Sequence, residues 1–179
     1  PNGVPSHDTF RRLFARLDPE HFHRCFFDWV SHIRTKLSLE VIAVDGKTLR
    51  GTRDAALDLP PLHIVSAWSS TNGLVLGQLR TADKSNEITA VPLLLDMLDI
   101  KDCIISLDAL NCQTDIVDTT ILKEADYVIT CKGNQEHLHT DIVSLFEMLL
   151  QSSPDTNELS YYKMVDDQHG RREVREYWS

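Results

Sequence analysis

The stretch Val41-Ile-Ala-Val-Asp-Gly-Lys-Thr-Leu-Arg-Gly51 decides how the chain is read. Val41 to Val44 are apolar without a break, the pattern of a strand buried on both faces. The run delivers one carboxylate, Asp45, and breaks at Gly46. An ionised Asp is costly to bury unpaired, so its expected place is the strand's end, over a cleft. Lys47, Arg50 and Arg53 follow at once. One acid among bases at the end of a buried strand suits metal-assisted phosphoryl transfer.

Working outward, His63 to Ser69 and Leu74 to Arg80 are two strands joined by Ser70-Thr-Asn-Gly73. Asn-Gly is a strong hairpin signal, so the first three strands form an antiparallel meander. Residues 86–98 form a helix with Ile88, Val91, Leu94, Leu95 and Leu98 on one face. Pro92 is expected in its first turn, where a missing N–H costs little. Cys103 to Leu107 is a short strand ending on Asp108. Gln113 to Lys123 is a helix with Ile116, Val117, Thr120 and Ile121 inward, and Tyr127 to Cys131 is a fifth strand. Residues 135–150 are a longer helix. After a linker at 151–158, Leu159 to Val165 and Arg171 to Trp178 make a second hairpin.

Residues 6–36 read as two helices. Ser6 or Asp8 caps the first, and Pro19 stands at the first position of the second. Five of the six Phe lie here, and a small helical subdomain packing its own aromatics is the expectation.

The order β-β-β-α-β-α-β-α predicts an α/β fold: a ribonuclease-H-like mixed sheet with flanking helices, behind a small helical N-terminal region. In such a core the first and fourth strands are neighbours, so Asp45 and Asp108 can meet. Two Mg²⁺ or Mn²⁺ ions about 4 Å apart between such carboxylates clamp an in-line displacement at phosphorus. The other reading is that each Asp only caps the turn after its strand.

The 179 residues suffice for one full core or one core plus a satellite. The formal charge is −9, which argues against a generic nucleic-acid coat. It is uneven: residues 1–60 hold nine Lys/Arg against eight Asp/Glu, and the remainder nine against nineteen. No run is long enough to span a membrane. The start at Pro1 has no signal-peptide features and reads as that of a partial chain. Cys25, Cys103, Cys112 and Cys131 form no C-x-x-C pair and read as free, buried thiols of a reducing cytoplasm.

Gly46-Lys47-Thr48 looks like the end of a P-loop, but position 41 is Val where that motif needs Gly, which excludes it. Lys47, Arg50, Lys132 and Arg171 are candidates for DNA phosphate contacts, with solvated surface charge as the alternative. Glu173 and Glu176 are weak candidates for a third carboxylate, against a salt-bridged hairpin.

With these residues in view, the chain resembles a DDE insertion-sequence transposase of the H-repeat-associated branch. The resemblance rests on Pro5-Ser-His-Asp-Thr-Phe-Arg-Arg-Leu-Phe-Ala-Arg-Leu-Asp-Pro19 and Val44-Asp-Gly-Lys-Thr-Leu-Arg-Gly51. It rests also on Leu62-His-Ile-Val-Ser-Ala-Trp68, Lys84-Ser-Asn-Glu-Ile-Thr-Ala90, Asp108-Ala109, Lys132-Gly-Asn-Gln135 and His169-Gly-Arg171. It implies metal-dependent DNA strand cleavage and transfer, with Asp45 and Asp108 as the first two acids. It implies DNA as partner, a possible homo-oligomer and a cytoplasmic setting.

The family's third acid lies in a Trp-x-x-Glu helix that this sequence lacks, so Arg171 to Trp178 reads as part of an insertion. The family usually reads Met-Gly where Leu110-Asn111 stands, taken as harmless variation. The expected domains are 1–38 (helical, clipped), 39–150 (catalytic core) and 151–179 (start of a β insertion). The rival functions are an inactive product that only binds DNA or a partner, and a nuclease of this fold using Glu173.

Overall fold

Strand β1 (Val41–Thr48) is the middle of a five-stranded sheet in the computed structural model, which describes residues 3–35, 39–49, 52, 61–81, 86–152, 160–166 and 172–178. β2 (His63–Ser69) pairs antiparallel with β1, and β3 (Leu74–Thr81) antiparallel with β2. β4 (Ile104–Leu107) lies parallel to β1 on its other side, and β5 (Asp126–Ile129) parallel to β4. The order β3-β2-β1-β4-β5 is that of a ribonuclease-H-like sheet, and it brings the first and fourth strands together as expected.

The core lies on one face of this sheet. Ile42, Val44, Val65, Ala67, Leu76, Ile105 and Leu107 meet Ala90, Val91, Leu94 and Leu95 of α3 (Glu87–Asp96) and Ile116 of α4 (Thr114–Leu122). β1 is therefore not buried on both faces. Ala43 is only half-buried, and the cross-strand partners on its side include Trp68, which is 43% exposed. Period-two alternation puts every second residue on that side, and four apolar residues in a row cannot reveal which side is covered.

Three other expectations are corrected. β1 does not break at Gly46, because the β2 ladder continues through Asp45↔Ser66, Gly46↔Val65, Lys47↔Ile64 and Thr48↔His63. Pro92 stands inside α3, beyond its first turn, because that helix begins at Glu87. Ile121 is exposed, since it lies about 140° around α4 from the buried Ile116.

α1 (His7–Phe14) is capped by Ser6, whose hydroxyl accepts from the Thr9 N–H. α2 (Pro19–Ile33) is capped by Asp18, which accepts from His21 N–H at 3.0 Å, with Pro19 at the first turn. The aromatics do not make a core of their own: Phe10, Phe14, Phe22 and Trp29 are exposed. Phe26, Phe27 and Val30 turn to the sheet core instead. A Cβ on Gly77 of β3 would be 2.6 Å from the Phe27 ring, so the absence of a side chain there is what lets α2 approach.

Arg34, at the end of α2, anchors it further. Its guanidinium donates to Glu40 at 2.7 and 3.2 Å and to the Asp99 carbonyl at 2.6 Å. Cys103 is buried but Cys25 is exposed, so not every thiol is interior.

The chain divides into two compact units, residues 1–134 and 135–179. The second contains α5 (Glu136–Ser152) and a hairpin of β6 (Tyr161–Asp166) and β7 (Glu173–Trp178), as the sequence predicts. Tyr161 faces Trp178 and Tyr162 faces Tyr177 across it.

Candidate metal centre and its buried support

The parallel ladder between β1 and β4 ends at Val44↔Leu107. Asp45 is the next residue of β1, and Asp108 is the residue that follows β4. Neighbouring strands lie about 4.8 Å apart, and Asp45 and Asp108 are both exposed.

Asp108 caps the 3-10 turn Ala109–Asn111. Its Oδ1 accepts from the N–H groups of Leu110 (3.1 Å) and Asn111 (3.3 Å) and from Asn111 Nδ2 (3.0 Å). All three contacts fall on one oxygen. Capping and metal binding therefore do not exclude each other, because Oδ2 takes no part in the cap.

Beneath this pair runs a polar chain through the core. Asn111 is fully buried, and its Nδ2 also donates to Glu87 Oε1 at 2.9 Å. Glu87, 2% exposed at the first turn of α3, meets His63 Nε2 through Oε2 at 3.2 Å. His63 Nδ1 contacts the Thr48 hydroxyl at 2.9 Å. A carboxylate can only accept, so Nε2 donates to Glu87, and Nδ1 shares a hydrogen bond with the Thr48 hydroxyl. The same logic orients Asn111: a flipped amide would set its oxygen against two carboxylates. Its Oδ1 has no hydrogen-bond partner among the described residues.

Gly46 makes room for Glu87. A Cβ there would stand 2.1 Å from Oε2. The Asp-Gly pair thus serves two faces of β1: Asp45 faces outward, and Gly46 admits a buried carboxylate behind it.

Sequence reasoning missed His63, Glu87 and Asn111 as a set. One signal was present: Glu87 lies on the same helical stripe as Val91, Leu94, Leu95 and Leu98. A carboxylate in a core stripe requires partners. Asn111, read as a harmless departure, is the link between Glu87 and Asp108.

Of the basic candidates, Lys47 is exposed two residues beyond Asp45, on the same face of β1. Lys132 is exposed in the turn after β5. Asn134 ties that turn to the Asp108 loop, donating from Nδ2 to the Ala109 carbonyl at 2.7 Å. Arg50 and Arg171 lie outside the described residues. Glu173 pairs with Arg175 at 2.6 Å and Glu176 with Lys163 at 2.8 Å, both within the second unit. The Lys163 hydrogen bond, with help from Tyr161, holds the Glu176 carboxyl below its ordinary pKa. Among the described residues, no three His, Cys, Asp or Glu side chains cluster where they could hold one metal ion together. Burial raises the Cys112 thiol pKa, and the adjacent Cys131 adds to it.

A family profile for the transposase DDE domain matches residues 36–177. The chain belongs to the DDE transposase family. A second profile, DDE_Tnp_1-associated, matches residues 1–30. Among curated relatives, "H repeat-associated putative transposase YhhI" of Escherichia coli (strain K12) is 40% identical over 97% of this chain and 45% of its own length. "Putative protein YbfL" of the same strain is 41% identical with the same coverage. "H repeat-associated putative transposase YbfD", also of that strain, is 38% identical over 97% of this chain and 68% of its own length.

This DDE-family chain spans about half the length of the first two relatives, 45% of each. Among solved structures it is similar to a piggyBac transposase in a synaptic complex with hairpin DNA. The TM-score is 0.46 and the identity 13%, over 90% of this chain and 36% of that one. No described helix is long and apolar enough to cross a membrane.

Proposed function

We propose that Asp45 and Asp108 hold divalent metal for phosphoryl transfer on DNA, in a transposase that cleaves and joins the strands of an insertion sequence. The observation that supports this is the end of the β1–β4 ladder at Val44↔Leu107, the residues immediately before the two aspartates. Neighbouring carboxylates repel unless a cation lies between them. Both are hard oxygen donors of the kind Mg²⁺ and Mn²⁺ take, and Asp108 keeps Oδ2 clear of its cap. A divalent ion there supplies Lewis-acid stabilisation of charge on a phosphoryl oxygen and a more acidic nucleophile.

The protein's own share is binding and orientation. Asp45 and Asp108 bind the cation. Lys47 and Lys132, flanking them, contact DNA phosphates, as do Arg50 and Arg171. The setting is the cytoplasm, and the working form acts on element ends and target DNA, as a homo-oligomer where both ends are held together.

The test is D45A in a full-length parent that nicks DNA in Mg²⁺. The expected result is loss of Mg²⁺-dependent nicking with the fold intact by circular dichroism. Unchanged nicking overturns the assignment.

A further inference from the structure

Glu87 is a costly residue where it stands. It heads the stripe that α3 packs into the core, and its side chain is 3% exposed. Among the described residues its two oxygens meet one imidazole and one amide, with no Lys or Arg beside them. Replacing a buried polar pair with well-packed apolar residues is often neutral or stabilising, so stability alone does not explain a carboxylate here. Its place is also specially made, since Gly46, next to Asp45, is the residue that admits it.

We propose that Glu87 is a positioning residue for the metal centre: through Asn111, its buried carboxylate fixes the orientation of Asp108. This rests on the reading of Asp45 and Asp108 as metal ligands. Asn111 has two amide protons, and each goes to a carboxylate, one to Glu87 and one to Asp108. His63, itself held by Thr48, keeps Glu87 in place from the other side. The relay adds a third donor to Asp108 Oδ1 beside the two backbone N–H groups. With Oδ1 so committed, Oδ2 is the oxygen presented to a ligand. Without Glu87 the Asn111 side chain loses one of its two anchors, and Asp108 is left hydrogen-bonded to an amide that is no longer held from behind.

Glu87 makes no contact with the ion in this account, so two variants separate relay from ligation. E87A removes the acceptor for Asn111, and E87Q keeps one. N111A removes the relay while leaving Glu87 in place. Mn²⁺ affinity of the 179-residue chain is measured by titration calorimetry. The Asp108 χ1 rotamer is measured by NMR couplings in the metal-free chain.

The expected result is that E87A and N111A each weaken Mn²⁺ binding by roughly tenfold or more, the scale for residues supporting metal ligands. E87Q recovers most of that loss. Asp108 occupies one rotamer in the wild type and E87Q, and averages between rotamers in N111A. Wild-type affinity in N111A, with Asp108 still in one rotamer, overturns the proposal. So does loss of binding in E87Q with N111A unaffected, which would make Glu87 a ligand. If E87A does not fold, N111A and E87Q decide. If the wild-type chain binds no Mn²⁺ the metal reading falls, and the rotamer in N111A still decides whether Asp108 is held by this relay.

Discussion

A methyl group on Gly46 would stand 2.1 Å from Glu87 Oε2 and 2.3 Å from its carboxyl carbon. G46A must therefore push Glu87 away from His63 and Asn111. Overpacking of this kind costs about 1–3 kcal/mol, and displaced buried hydrogen bonds add to it. Urea denaturation should show a lower midpoint with an unchanged slope, and an unchanged midpoint would mean Glu87 has room to retreat. Glu40 gives a second residue-scale test. Burial works to raise its pKa, but hydrogen bonds from Ser69, Arg34 and Asn72, with the Arg34 charge, outweigh it and hold the carboxyl below its ordinary value of 4.5. A depressed folded pKa contributes stability that is present above the unfolded value and lost as pH falls through the folded one. Wild-type stability should therefore drop as pH is lowered below about 4.5, and E40Q should lack that component of the drop. Equal acid sensitivity of the two proteins would contradict this.

At the scale of elements, α3 carries Pro92 in its interior, where the ring removes a hydrogen bond to the Ile88 carbonyl. P92A should stabilise the chain by about 1–3 kcal/mol, read from the denaturation midpoint. A lower midpoint would mean that the ring's packing outweighs the missing bond. The misplaced Pro92 also shows what was legible and what was not. Strands and hairpins were readable because Asn72-Gly73 and the short apolar runs are local signals. The neighbouring of β1 and β4 followed from element order. What could not be read was which face of β1 is covered, since Val41 to Val44 look alike on both. Nor could local pattern show that His63, Glu87 and Asn111 converge, because they come from a strand, a helix and a turn. Gly46 looked like a strand breaker, when it is a space kept for a side chain 41 positions on. The N-terminal aromatics misled for a related reason: a helical stripe gives periodicity, while its partner is set by α2 meeting β3 at Gly77.

At the scale of the molecule, the chain carries a net charge of −9 yet belongs to a DDE transposase family. The proposed site reconciles these by being local, at the end of the β1–β4 ladder, with exposed Lys47 and Lys132 as its basic residues. In residues 1–134, α3 and α4 pack on the core face, α2 lies against β3, and the turn at Asn134 is tied to Ala109. The central claim is that Asp45 and Asp108 form one cation site. Calorimetric titration of Mn²⁺ into the wild-type chain, D45N and D108N tests it directly. Saturable binding in the wild type that either single substitution abolishes, with all three proteins folded, is the result predicted. Wild-type binding in both variants would contradict it.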